Sequence, residues 1–77
     1  MMTTSVAFGN LYQACLKHSL HARLHTWDGG QTIYVTRGDA TPVFQWSSEW
    51  GDAIAPVDEA AEWLIENGYI EAADLEG

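Results

Sequence analysis

Leu20-His21-Ala22-Arg23-Leu24-His25-Thr26-Trp27, then Asp28-Gly29-Gly30-Gln31, then Thr32-Ile33-Tyr34-Val35-Thr36 is the stretch on which the fold turns. From Leu20 the pattern has a period of two. Leu20, Ala22, Leu24 and Thr26 fall on one face, and His21, Arg23, His25 and Trp27 fall on the other. Asp-Gly and Gly-Gly steps mark a turn. The β-branched and aromatic run Thr32–Thr36 then reads as a second strand. Arg37-Gly38-Asp39-Ala40-Thr41-Pro42 is a second turn, and Val43-Phe44-Gln45-Trp46-Ser47 is a third strand. The competing reading carries a first helix on to Thr26, because no Gly or Pro interrupts Leu11–Trp27. It would leave an isolated hairpin, which is marginal in water. Short connections therefore predict an antiparallel meander of three strands.

Helices are expected on either side of this meander. Phe8, Leu11, Tyr12, Cys15 and Leu16 recur at helical spacing, with Thr4 or Ser5 as the cap. Gly9 weakens the start, so Asn10 is a second candidate cap, for a shorter helix from Leu11. The end is expected near His18–Ser19. Ser48–Asp52 reads as a loop. Pro56 suits a helix start. Val57, Ala60, Ala61, Leu64 and Ile65 form an apolar arc, and Asp58, Glu59, Glu62 and Glu66 form an acidic one. Asn67-Gly68 is a stop, with Gly68 in the left-handed position and Tyr69 folding back on Leu64. Glu71–Gly77 is expected to be a frayed or short helical tail. The predicted fold is one α+β domain over residues 1–77, in the order α-β-β-β-α, with its three-stranded antiparallel sheet packed against helices.

With 77 residues, 47% of them hydrophobic, the chain has a core, but a small one. Its four tryptophans, Trp27, Trp46, Trp50 and Trp63, are expected to supply much of the burial. The lone Cys15 allows no internal disulfide, reads as a small buried apolar residue and favours a reducing compartment. No signal peptide or membrane-spanning run is read, so the expected location is cytoplasmic.

Charge is the most informative property. Lys17, Arg23 and Arg37 face eleven acids, for a formal net charge of −8. Residues 1–27 hold two bases and no acid, whereas residues from Glu49 onward hold nine acids and no base. Direct binding to a nucleic-acid backbone or an anionic membrane is disfavoured, and a basic partner is favoured.

Motifs for chemistry are missing. The sequence contains no Gly-x-Ser-x-Gly, phosphate-binding glycine loop, His-Glu-x-x-His or Cys-x-x-Cys. His18, His21 and His25 would align only on one continuous helix, and the predicted helix end separates His18 from the other two. No enzymatic activity, cofactor or metal is expected. Arg37-Gly38-Asp39 reads as an ordinary tight turn.

The acidic helix is less easily assigned to stability alone. Asp58 and Glu59 complement the helix dipole. Glu66 lies in the last turn, where a base is favoured. Asp58–Glu62 and Glu62–Glu66 are like-charge pairs four apart, each costing a few tenths of a kcal/mol. A self-repelling surface of Asp58, Glu59, Glu62 and Glu66, to which the C-terminal third adds Glu49, Asp52, Glu71, Asp74 and Glu76, fits an external cationic partner. Carboxylates four apart on a helix lie about 6 Å apart along the axis, comparable to the spacing of backbone phosphates. Trp46, Trp50 and Trp63 flank this segment; Trp46 is expected in the core, and Trp63, at the edge of the apolar arc, is the leading aromatic anchor.

An acidic one-domain α/β chain carrying Val57-Asp58-Glu59-Ala60-Ala61-Glu62-Trp63-Leu64-Ile65-Glu66 resembles small phage-encoded inhibitors of the anti-CRISPR type. The likeness rests on size, charge and element order, with no diagnostic motif. It implies a non-enzymatic inhibitor, acting in the host cytoplasm, that engages a Lys/Arg-rich nucleic-acid-binding site on a host nucleoprotein complex, such as a CRISPR surveillance complex, and blocks target DNA binding. The expected partner-binding residues are Glu49, Asp52, Asp58, Glu59, Glu62, Trp63 and Glu66. The alternative is a small interaction subunit, a homodimer or an accessory chain, whose acidity serves only solubility.

Overall fold

The computed structural model describes residues 7–75. Helix α1 spans Phe8–Lys17, strands β1, β2 and β3 span Leu20–Trp27, Gly30–Arg37 and Pro42–Glu49, and helix α2 spans Pro56–Glu66. A 3-10 turn, Ala72–Leu75, closes the described chain. This is the predicted α-β-β-β-α order, and β1 begins where the period of two begins. The rival helix running to Thr26 is not formed.

The sheet is antiparallel in the order β1-β2-β3. Its register places Ala22 opposite Val35 and Leu24 opposite Ile33, so these residues share a face. That face meets both helices: α1 packs on β1, α2 packs on β2 and β3, and the helices touch each other. The core comprises Leu11, Ala14 and Cys15 of α1, Leu20, Ala22, Ile33 and Val35 of the sheet, Val57, Ala60, Ala61 and Leu64 of α2, and Ile70. The other sheet face carries His21, Arg23, His25 and Trp27, all exposed.

Several local expectations meet their physical causes here. Pro56 opens α2, whose N-cap is Ala55. Gly68 takes φ 78°, and the Tyr69 N–H donates to the Leu64 carbonyl, which ends the helix as read. The alternative cap at Asn10 is overturned: Asn10 lies in the first turn of a helix that starts at Phe8, with Ala7 as N-cap. Thr4 and Ser5 lie outside the described residues. Asp28 and Gly29 form the whole first turn, and neither has positive φ, so this is not a mirror-image hairpin turn. The second connection does use the left-handed region, at Ala40 with φ 70°, while Asp39 accepts the Thr41 N–H.

The tryptophans correct an expectation. Trp27, Trp46 and Trp50 are exposed and Trp63 is half-buried. Trp46, expected in the core, is 41% exposed because β3 is a sheet edge and its ring has sheet neighbours on one side only. Burial comes instead from aliphatic side chains packed through alanines. Cys15 is fully buried, and burial pushes its thiol up to about 11, which keeps it protonated and unreactive.

The tail is tied down by charge. Asp74 accepts hydrogen bonds from the Glu71 N–H, from Lys17 Nζ at 3.0 Å and from His18 Nε2 at 2.7 Å. The Glu71 N–H, then His18, then Lys17 hold its carboxyl well below the usual carboxylate range. A depressed folded pKa stabilises the fold above the unfolded value of about 3.9, and that contribution is lost as pH falls through and below it. Asp74→Asn is therefore expected to melt below the parent at pH 7. Thermal melts should show the gap closing as pH drops from about 4 towards 2. A gap constant with pH would show that the carboxylate charge contributes nothing.

Candidate protein-interaction surface

The sharp turn after β3 gathers the acidic residues. Asp52 accepts the Glu49 N–H at 2.8 Å, and its own N–H donates to the Glu49 carbonyl at 3.0 Å. Gly51 supplies the φ of 97° this closure requires. Trp50 pins the turn to the first hairpin: its backbone N–H donates to the Gly29 carbonyl and its indole Nε1 to the Asp28 carbonyl. Ser48 Oγ donates to the Ile54 carbonyl, holding the strap that leads into α2. The result is a concavity of about 260 Å³ with Glu49, Asp52 and Asp58 at its rim beside Trp50 and Ile54. Trp50 is 57% and Ile54 49% exposed, beside these carboxylates.

From this concavity the negative charge continues along α2. Val57, Ala60, Ala61 and Leu64 face the core, which turns Glu62 and Glu66 outward and leaves Asp58 and Glu59 half-buried on the flank. The bases of the chain lie elsewhere. Lys17 is engaged by Asp74, Arg23 projects from the helix-free sheet face, and Arg37 ends β2 beside the Asp39 turn. Among the described residues, no ion pair joins a base to Glu49, Asp52, Glu59, Glu62 or Glu66.

The structure therefore brings Glu49, Asp52 and Asp58 together and sets Glu62 and Glu66 along the adjoining helix face. Trp63 is half-buried at the edge of the apolar arc, where its spacing placed it. Its ring lies 4.9 Å from that of Phe44 and stacks on Tyr69 at 5.6 Å, packed against the core. The exposed aromatic beside the acids is Trp50. Its partners, the Asp28 and Gly29 carbonyls, are distant in sequence, and no periodicity points to them. The histidines separate as the strand reading requires. His18 bonds Asp74, while His21 and His25 lie four strand positions, about 13 Å, apart on β1. Among the described residues no helix is long and apolar enough to cross a membrane. Compared with known proteins, the chain matches no family model, no curated protein and no solved structure.

Proposed function

We propose that this chain is a non-enzymatic inhibitory binding protein. In this reading its acidic surface occupies a Lys/Arg-rich nucleic-acid site on a nucleoprotein complex and blocks target DNA binding, in the manner of the anti-CRISPR inhibitors it resembles. One observation carries the reading: Glu49, Asp52 and Asp58 rim one concavity with an exposed tryptophan, and Glu62 and Glu66 extend it along α2. A field of one sign steers a basic partner, and a central aromatic supplies apolar contact. Trp50 takes the anchoring role, since it is exposed beside the carboxylates whereas Trp63 is half-buried against Phe44 and Tyr69.

The test measures target-DNA binding by purified CRISPR surveillance complexes with and without the protein. Inhibition is expected to weaken steeply between low and high salt. Glu62→Lys/Glu66→Lys is expected to abolish it with the fold retained by circular dichroism, and Trp50→Ala to cost about tenfold or more, as at an interface hot spot. The exposed Trp46, Trp50 and Ile54 also favour the interaction-subunit reading. That reading gains if association is insensitive to salt and to the double reversal but lost on Trp50→Ala.

A further inference from the structure

The two edges of the sheet are built differently. The β3 edge opens on Pro42, which has no N–H to offer, is irregular against β2 at Val35/Thr36, and ends in the Trp50 turn. The β1 edge runs eight residues, Leu20–Trp27, with no Pro, Gly, Lys or irregularity in its pairing to β2. On its outer side β1 pairs with no other strand among the described residues. Alternate residues of such a strand turn their N–H and C=O groups outward. Sheets ordinarily block an edge of this length, and one left regular is a template for an added strand.

Side chains beside the edge define what such a strand must carry. His21, Arg23 and His25 project from β1 onto the helix-free face. Arg23 lies 5.7 Å from the centre of the Tyr34 ring and forms no ion pair among the described residues, in a chain with eleven acids. A cleft of about 480 Å³ opens at Arg23, Leu24, His25 and Tyr34. Neither β1 nor β2 contains an acid. On the opposite face the same strand presents Leu20, Ala22 and the half-buried Leu24. A second copy of β1 is a poor match. The longest antiparallel registers that keep the apolar faces together set Arg23 of one copy against Arg23 or His25 of the other.

We propose that the β1 edge is a docking site for an extended segment of a partner protein in which acidic and aliphatic residues alternate. The segment adds as a fourth strand, with its carboxylates over His21, Arg23 and His25. The backbone ladder supplies affinity and the alternation supplies specificity. This surface lies on the sheet face opposite the helices and is independent of the acidic concavity.

The test is an NMR titration of the full chain with a capped decapeptide alternating valine and glutamate. Amide shifts are expected along Leu20–Trp27 and not along α2. Arg23→Glu, at an exposed position, is expected to weaken binding about fivefold, and replacing the peptide's glutamates with glutamine to weaken it similarly. Equal binding of a valine–lysine peptide, shifts confined to α2, or no shifts would overturn the proposal. So would stronger Arg23-dependent binding of an oligothymidylate, which would make the face a nucleic-acid site. Dimerisation through β1 in sedimentation would also overturn it, in favour of a second copy.

Discussion

Leu64→Ala is expected to remove about 2–5 kcal/mol of stability, the range for deleting a fully buried leucine. Leu64 has no exposed surface and lies in a core whose other α2 members include Ala60 and Ala61. Alanines have no rotamers with which to fill a void, so the space left by the leucine cannot collapse cheaply. Total stability is limited at this size. One core in a 77-residue chain supplies roughly 3–5 kcal/mol, so the substitution takes most or all of the margin. Urea denaturation should show the midpoint falling to near zero, or a chain already unfolded in buffer. Leu64→Met, which conserves volume, should cost under about 1.5 kcal/mol. If Leu64→Ala melted within about 0.5 kcal/mol of the parent, like an ordinary surface change, the core assignment would be wrong.

The same core explains why the fold was legible in the residues and the surface only partly so. A period of two over Leu20–Leu24 and an apolar arc at Val57, Ala60, Ala61 and Leu64 are local patterns, and burial follows them, fading to exposure at Thr26. Asn67-Gly68 ends α2 through local backbone geometry, which a sequence carries directly. The tryptophans misled because size suggests burial, whereas a core made of alanines and branched aliphatics leaves no space for indoles. Three of them end on the surface at turns or edges. The acidic arc of α2 was readable from helical spacing. The convergence of Glu49 and Asp52 with Asp58 was not, because the strap between β3 and α2 has no period and is shaped by Trp50 reaching back to Asp28. The Lys17–Asp74 and His18–Asp74 pairs are equally invisible locally, since they join the end of α1 to the final 3-10 turn, 57 and 56 positions away.

Two adjacent glycines separate backbone need from side-chain convenience. Gly30 is buried and pairs with Glu49 across the β2–β3 ladder. A Cβ there would overlap the Ser48 carbonyl oxygen and stand 2.7 Å from the Glu49 Cα. These are backbone atoms and cannot rotate away, so Gly30→Ala must part the end of β3 from β2. The expected cost is about 1–3 kcal/mol, the range for overpacking a filled site. At Gly29 a Cβ would instead meet the indole ring of Trp27, which lies across the turn and donates to Thr32 Oγ1 at 3.2 Å. That ring has room to swing into solvent, so Gly29→Ala should cost about 1 kcal/mol, the value of the lost hydrogen bond. The order of the two urea midpoints is the test, and a Gly29→Ala variant less stable than Gly30→Ala would reject this account. The consequence reaches the acidic surface. Parting β3 from β2 also releases Trp50 from the Asp28 and Gly29 carbonyls and disturbs the Ser48–Ile54 tie, so Glu49 and Asp52 lose their spacing from Asp58. Gly30→Ala should therefore weaken the proposed inhibition at temperatures where the chain is still folded, and Gly29→Ala should leave it intact.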